Sequence, residues 1–185
     1  MTPFTYAGSP QKVIFGTSMM ARVGEEITSV GAGPALVLST PHQGAEAEAL
    51  ASRLGSLAAG VFAGAAMHTP VEVTERALEV FTATGAGCTV ALGGGSTTGL
   101  GKALALRTDR PQIVIPTTYA GSEATPILGE TAGDEKMTQR SPRILPEVII
   151  YDVELTISLP SQGLIGDLRP ERDGARRRGA LCQGR

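Results

Sequence analysis

Residues 88–103 contain the combination of residue types best suited to binding an anion. A short apolar run, residues 88–92, is followed by three glycines and then by hydroxyl residues that begin a predicted helix. Glycines permit backbone angles and close approaches that side chains forbid. The free N–H groups at the start of a helix attract an anion such as a pyrophosphate. The spacing therefore predicts a phosphate-binding turn, with Ser96 or Thr97 capping the helix.

Two well-known phosphate-binding motifs do not fit this segment. The P-loop pattern requires glycine where the chain has Ser96, and Ser or Thr where it has Ala103. The dinucleotide pattern G-x-G-x-x-G fails because its last glycine falls on Thr98 or Leu104. ATP hydrolysis is therefore disfavoured. An anion site of another kind remains, beside the alternative of a tight strand-to-helix turn that binds nothing.

A second hydroxyl-rich segment, residues 116–125, follows another apolar run, residues 113–115. Its polar side chains could face a ribose or a nicotinamide amide, or they could cap their own loop. The hydroxyl residues that could donate hydrogen bonds to a ribose or a nicotinamide amide are Thr117, Thr118, Ser122 and Thr125. Because the carboxyl ends of parallel strands meet at one edge of a sheet, we expect both segments to border one crevice.

Strand-like and helix-like segments alternate along residues 1–160, which is typical of βαβ units and a parallel sheet. The predicted strands fall at residues 13–15, 35–39, 61–62, 88–92, 113–115 and 148–151. The predicted helices fall at about residues 19–30, 43–54, 71–81 and 96–106. The third helix is expected to bury a face made of Val71, Thr74, Leu78 and Phe81. A hairpin is predicted over residues 127–139, turning at Gly133 and Asp134.

Composition limits the class of protein. With 185 residues, 42% of them hydrophobic, the chain can bury one full core. Its apolar runs are far shorter than the roughly 20 residues that span a bilayer, and residues 1–10 do not resemble a secretion signal. The sequence thus predicts a cytoplasmic protein with no membrane partner. Residues 1–160 carry 10 basic and 15 acidic side chains, which disfavours nucleic acid as a partner.

Residue types that bind metals or anionic substrates are sparse. Cys88 lies in a predicted core strand and Cys182 near the chain end, which favours plain thiols over a disulfide or zinc site. His42 and His68 stand on separate predicted loops, so we expect surface positions rather than metal ligands. The lysines at positions 102 and 136 could meet an anionic substrate, although a surface role is favoured for each.

Three motifs, in order, resemble the iron-containing alcohol dehydrogenase superfamily: residues 93–102 (GGGSTTGLGK), 116–123 (PTTYAGSE) and 145–152 (LPEVIIYD). The short Tyr-Ala-Gly-Ser-Glu form of the second is similar to that of the maleylacetate reductase branch. The likeness covers about residues 1–160. It implies a Rossmann-like α/β domain of the dehydroquinate synthase-like fold, which binds NAD(P). In the family, an all-helical C-terminal domain follows and holds the metal site or its remnant.

The resemblance also implies an activity. It is hydride transfer from NADH or NADPH to maleylacetate or chloromaleylacetate, giving 3-oxoadipate in the breakdown of aromatic compounds, by a homodimer. Within the family pattern, the pyrophosphate meets Gly94, Gly95 and Ser96, and the nicotinamide side is lined by Thr117, Thr118 and Thr125. The full set of implied cofactor-binding residues is Gly93, Gly94, Gly95, Ser96, Thr117, Thr118, Ser122 and Thr125. No catalytic residue is identified.

Three alternatives remain open at this stage. The second predicted strand ends at Ser39 and Thr40 rather than at an acidic residue, so neither NADH nor NADPH is excluded. The activity could instead be that of a metal-dependent alcohol dehydrogenase of the same superfamily. The chain could also be a dinucleotide-binding remnant without turnover.

Residues 161–185 differ from the rest, with six arginines, three acidic residues and no apolar periodicity, and are predicted to be disordered. Residues 167–185 can be written in codons whose reading frame, advanced by one nucleotide, encodes a different peptide. That peptide is Thr-Ser-Gly-Leu-Asn-Ala-Met-Ala-His-Ala-Val-Glu-Ala-Leu-Tyr-Ala-Lys-Gly. That reading resembles the opening of the family's helical domain, with Asn where metal-dependent relatives carry a ligand Asp. Our hypothesis is that a frameshift near Ser161 has replaced the native sequence with a non-native tail. We also expect that the chain binds no metal and that it does not turn over substrate by itself. The alternative is a basic tail that binds a partner.

Overall fold

Six parallel strands form one sheet in the computed structural model, which describes residues 10–133 and 135–157. The strands along the chain are β1 (Lys12–Gly16), β2 (Ala35–Leu38), β3 (Ala58–Phe62), β4 (Cys88–Gly93), β5 (Gln112–Pro116), β6 (Ile127–Ala132), β7 (Glu135–Arg140) and β8 (Val148–Asp152). The order across the sheet is β1-β8-β5-β4-β2-β3. Strands β6 and β7 pair antiparallel as a separate hairpin. The predicted parallel α/β fold is therefore confirmed, and so is the hairpin.

Four α-helices in the described residues cover the two faces of the sheet. They are α1 (Val23–Val30), α2 (Gly44–Leu54), α3 (Val71–Ala83) and α4 (Gly95–Thr108). Helices α1 and α2 pack against one face, where Ile27 and Leu50 join Val90 in one core. Helices α3 and α4 pack against the other face, where Phe81 and Leu104 join Leu36. None of the helices in residues 10–133 and 135–157 is long and apolar enough to cross a bilayer.

Two of the predicted elements differ from the structure in detail. The first helix is divided, because a 3-10 turn at Met19–Arg22 precedes α1. The buried face of α3 consists of Val73, Thr74, Ala77 and Phe81, whereas Val71 and Leu78 are half-buried. Ala77 joins Val73 and Phe81 in the core, and Leu78 packs at the margin of that core. The predicted tail, residues 161–185, lies outside the described residues, as do the proposed frameshift and Cys182.

The β6–β7 hairpin is attached to the helices by a buried ion pair. Arg107 of α4 contacts the Glu130 carboxylate of β6, with 3.0 Å between Nη1 and Oε1. Glu130 is 1% exposed, and Thr74 of α3 donates a hydrogen bond to the same Oε1 atom. Leu128 packs against Ala103 and Ile144 beside this pair. The hairpin is thereby fixed against α4, next to the carboxyl edge of the sheet.

Candidate functional site

The two hydroxyl-rich segments meet at the carboxyl edge of the sheet, as predicted. Gly93 at the end of β4 is paired with Pro116 at the end of β5. The N–H of Thr117 donates to the Gly93 carbonyl over 3.0 Å. We call residues 93–96 the glycine turn and residues 116–125 the threonine loop. Both begin at adjacent strand ends, so they border the same crevice.

Two positions of the glycine turn leave no room for a side chain. Gly93 has φ of 153°, a backbone conformation that favours glycine, and a Cβ atom there would lie 2.4 Å from Thr97 Oγ1. A Cβ atom at Gly94 would lie 2.8 Å from Thr118 Oγ1. The turn is therefore built so that its backbone, rather than side chains, faces the crevice.

The start of α4 differs from the predicted cap. Helix α4 begins at Gly95 with Gly94 as its N-cap, and no side chain caps it. Ser96 and Thr97, which we expected to cap the helix, lie inside its first turn because the glycine turn enters helical geometry earlier. The Thr97 hydroxyl is buried without a partner among the described residues. The first N–H groups of a helix have no intrahelical acceptor, so those of α4 are available to an anion.

Gly95 lines two separate cavities. The first cavity, about 450 Å³, is lined by Thr40, His42, Gln43, Gly94, Gly95, Ser96, Thr117, Thr118 and Leu155. The second cavity, about 180 Å³, is lined by His68, Thr69, Gly95, Gly99, Lys102, Ser122, Ile127, Leu128, Gly129 and Lys136. A larger cavity of about 630 Å³ adjoins the first through Gln43, Thr117 and Leu155. The glycine turn at the start of α4 therefore contributes lining residues to both the first and the second cavity.

Lys102 is not at the surface, contrary to our prediction. Its side chain is 0% exposed. The ammonium donates hydrogen bonds to the carbonyl oxygens of Ser122, of Thr125 (2.7 Å) and of Ile127 (2.9 Å). Burial lowers the pKa of Lys102 to about 8, although the Glu123 carboxylate partly opposes that shift. The lysine therefore joins α4 to the end of the threonine loop.

The predicted hydroxyl residues are divided between different surroundings. Thr117 accepts a hydrogen bond from Gln43 Nε2 over 3.2 Å, and Thr117 and Thr118 line the first cavity. Ser122 lines the second cavity. The Thr125 hydroxyl donates to the Ser122 carbonyl over 3.1 Å, which is the loop-capping alternative left open above. The four predicted hydroxyl residues therefore do not all line the same cavity.

A buried carboxylate in the threonine loop links the loop to β8. Glu123 is 4% exposed, and its Oε1 accepts a hydrogen bond from the Tyr151 hydroxyl over 2.9 Å. Burial, together with this contact, raises the pKa of Tyr151 to about 12. Gln11 Nε2 donates to the Glu123 carbonyl over 2.9 Å. Glu123 and Tyr151 are not among the predicted site residues, because a loop carboxylate and a strand tyrosine are each common at a surface.

The histidines are exposed, as predicted. His42, however, lines the first cavity beside Thr40, and His68 lines the second. No group of three or more His, Cys, Asp or Glu side chains within residues 10–133 and 135–157 is arranged to hold a metal ion. Cys88 is fully buried, and burial raises the pKa of its thiol to about 11.

The chain is similar to proteins of one family over most of its length. The profile of the family described as "Iron-containing alcohol dehydrogenase" matches residues 10–153. The maleylacetate reductase of Rhizobium sp. strain MTP-10005 is 67% identical over 160 residues, covering 86% of this chain and 46% of that protein. The maleylacetate reductase of Sphingobium indicum is 51% identical over 159 residues, covering 86% and 45%.

Solved structures agree with these sequence matches. The crystal structure of the Rhizobium reductase superimposes with a TM-score of 0.83, covering 86% of this chain and 46% of that one. An iron-containing alcohol dehydrogenase from Corynebacterium glutamicum, 40% identical, superimposes with a TM-score of 0.79, covering 86% and 45%. The chain spans about half the length of the curated relatives it matches.

Proposed function

We propose, since the chain belongs to the iron-containing alcohol dehydrogenase family, that it forms the dinucleotide-binding part of a maleylacetate reductase. In this reaction a hydride from NADH or NADPH and a proton add across the carbon–carbon double bond of maleylacetate, or of a chlorinated analogue, giving the saturated 3-oxoadipate skeleton. The 67% identity to the Rhizobium reductase supports this substrate class.

The observation that carries the proposal is that Gly95, at the start of α4, lines two separate cavities. A dinucleotide consists of two nucleosides joined by a pyrophosphate, so it needs one anion site with a space on each side. The uncapped start of α4, at the glycine turn, suits the pyrophosphate. A side chain at Gly94 would fill this cradle, as the distance to Thr118 indicates. The described residues therefore fit the cofactor.

The two halves of the cofactor can be assigned to the two cavities. In dinucleotide-binding sheets the residue after the second strand faces the adenosine ribose, and Thr40 follows β2 and lines the first cavity. We therefore assign the adenosine to the first cavity and the nicotinamide to the second, beside Ser122. The resemblance assigns Thr117 and Thr118 to the nicotinamide side, but we assign them to the other half because they share the first cavity with Thr40.

The chain's own contribution is binding and orientation. When bound, NAD(P)H supplies the hydride. The buried side chain of Leu128 provides an apolar part of the second cavity wall, which would limit water at the nicotinamide face. Lys136 at the same cavity carries an exposed positive charge that suits a dianionic substrate. The family name implies iron, but residues 10–133 and 135–157 assemble no metal centre, and no step here uses a metal.

Parts of the relatives outside the matched segment complete this proposal. Because the chain spans about half of their length, we propose that the other half binds most of the substrate. From the family resemblance we propose that the assembly is a homodimer. We also propose that residues 1–160 form the native domain and that residues 161–185 result from a frameshift. Resequencing the coding DNA from about codon 155 to several hundred bases past codon 185 tests this: an intact long frame would make the shift a reading error, and a confirmed shift would make it a property of the gene. Coding DNA whose shifted frame does not encode the helical half of the relatives would contradict the hypothesis.

Two experiments test the proposed function. Titration of the 185-residue chain with NADH should give saturable binding that ADP displaces, without maleylacetate-dependent oxidation of NADH. A chimera of residues 1–160 with the remaining half of the Rhizobium reductase should oxidise NADH, followed at 340 nm, only when maleylacetate is added. A chimera that binds NADH but reduces no maleylacetate contradicts the assigned substrate class.

A further inference from the structure

Lys102 connects the two segments that border the proposed cofactor site. It lies about two turns after Gly95 in α4, so the helix that starts at the glycine turn also carries this ammonium. Its three carbonyl partners belong to Ser122, Thr125 and Ile127, at the end of the threonine loop and the start of β6. A rigid helix thus links the proposed pyrophosphate site to the wall of the second cavity.

Five oxygens lie within hydrogen-bond distance of the Lys102 ammonium. Three are the carbonyl oxygens of Ser122, Thr125 and Ile127, and two are the hydroxyl oxygens of Ser122 (3.3 Å) and Thr125 (3.2 Å), which make longer contacts. A protonated lysine has three N–H groups, enough for the three carbonyls, which cannot donate hydrogen bonds themselves. A neutral amine has only two N–H groups, so one of these carbonyls would lose its donor. Because Lys102 is fully buried, water does not readily replace the missing bond.

The threonine loop is also held by two uncharged donors. The Tyr151 hydroxyl donates to the Glu123 carboxylate, and Gln11 donates to the Glu123 carbonyl. The titratable groups around Lys102 are Glu123 from the loop, Lys136 from the hairpin and His68 from the segment before α3. Of the three donors Lys102, Tyr151 and Gln11, Lys102 is therefore the one that titrates near pH 8, since its pKa is lowered to about 8 whereas that of Tyr151 is raised to about 12.

We propose that Lys102 is a positioning residue that ties residues 122–127 to α4 and so maintains the second cavity, where the nicotinamide half of the dinucleotide binds. This inference rests on the proposed function. ADP fills only the first cavity and the glycine turn, neither of which is lined by residues 122–127. Loss of the Lys102 ammonium should consequently weaken binding of the whole dinucleotide but not of ADP.

The pH dependence has a defined sign. Burial lowers the pKa of Lys102 to about 8, so the ammonium predominates below that pH and the neutral amine above it. Affinity for NADH should fall as pH rises through about 8, whereas affinity for ADP should not fall. The pyrophosphate of NADH is a diester and keeps its charge across pH 7 to 9, so it contributes no such trend. The terminal phosphate of ADP is a monoester with a second pKa of about 6, so the small fraction still protonated at pH 7 is lost as pH rises, which can only raise ADP affinity at an anion site.

The test compares dissociation constants for NADH and ADP between pH 7 and 9, measured by calorimetry on the full chain. In the unaltered chain we expect NADH affinity to fall several-fold and ADP affinity to change less than twofold. Lys102→Met should weaken NADH binding about tenfold at pH 7 and abolish the pH dependence. Lys136→Gln, which removes an exposed cation at the same cavity, should retain the pH dependence.

The outcomes separate this inference from the proposed function. NADH affinity that is constant between pH 7 and 9 in the unaltered chain overturns the role of Lys102, even if Lys102→Met fails to fold. Parallel losses of NADH and ADP affinity in Lys102→Met overturn it as well, because they indicate a general structural role. If the folded chain binds neither ligand at any pH, the proposed function itself fails.

Discussion

Gly94→Ala is a direct perturbation of the glycine turn. The new Cβ atom would lie 2.8 Å from Thr118 Oγ1 and 3.0 Å from Thr118 Cγ2. Gly94 has φ of −89°, which other residues adopt readily, so the substitution acts through this contact and not through backbone strain. Thr118 is half-buried and can give way by leaving its preferred rotamer. The methyl group then occupies part of the space proposed for the pyrophosphate.

The magnitude follows from these contacts. Displacing the Thr118 side chain costs about 0.5–1.5 kcal/mol, so the free energy of unfolding should fall by about 1 kcal/mol. Losing one charge-assisted hydrogen bond between the turn and a phosphate costs about 1.5–3 kcal/mol. That loss corresponds to roughly 10- to 100-fold weaker binding. The effect on binding should therefore clearly exceed the effect on stability.

Calorimetric titration with ADP and urea denaturation measure the two effects separately. The matched control is Gly101→Ala in the same helix, where a Cβ atom meets its neighbours at 3.5 Å or more. Because Ala is a better helix former than Gly by about 1 kcal/mol, this control should be slightly more stable and should bind ADP normally. Unchanged ADP affinity in Gly94→Ala would refute the assignment of the pyrophosphate to this turn.

Three further predictions concern other parts of the chain. Arg107→Met leaves the Glu130 carboxylate buried without its cation. The free energy of unfolding, measured in urea, should therefore fall by about 2–3 kcal/mol. A loss below about 0.5 kcal/mol would mean that the ion pair is not formed. His42→Asp places a carboxylate in the first cavity, so the affinity for NADPH relative to NADH should fall roughly tenfold by repulsion of the 2′-phosphate. Equal losses for both cofactors would contradict the adenosine assignment. The Cys88 thiol is buried, and burial raises its pKa to about 11. It should therefore resist alkylation by iodoacetamide at pH 8 until the chain is unfolded, which peptide mapping can establish. Rapid labelling of the folded chain would indicate that the core is open.

Local patterns in the sequence predicted the elements but not their arrangement. Apolar runs bounded by glycine or polar residues identified all six strands of the sheet. The inner strands β2, β4, β5 and β8 form such runs because they are buried on both faces, whereas the edge strands β1 and β3 are apolar but only partly buried. The insertion of β8 between β1 and β5 could not be predicted, since strand order depends on contacts between residues far apart in the chain. The cap of α4 was wrong for a local reason, because backbone geometry at Gly93 and Gly94 decided where the helix begins.

The candidate site was predicted in outline and missed in one important residue. The two strand ends that carry the glycine turn and the threonine loop do meet. Lys102 was expected at the surface because lysine is usually exposed, yet Leu100, Ala103 and Leu104 around it are all fully or almost fully buried. A helix that is apolar on every side predicts a buried position, and that pattern could have identified the lysine.

The central claim is that the carboxyl edge of this sheet binds a dinucleotide, and calorimetric titration of the 185-residue chain with NADH and NADPH tests it most directly. We predict saturable binding of about one nucleotide per chain, displaced by ADP and weakened by Gly94→Ala. A folded chain that gives no binding signal with NADH, NADPH or ADP would contradict the claim.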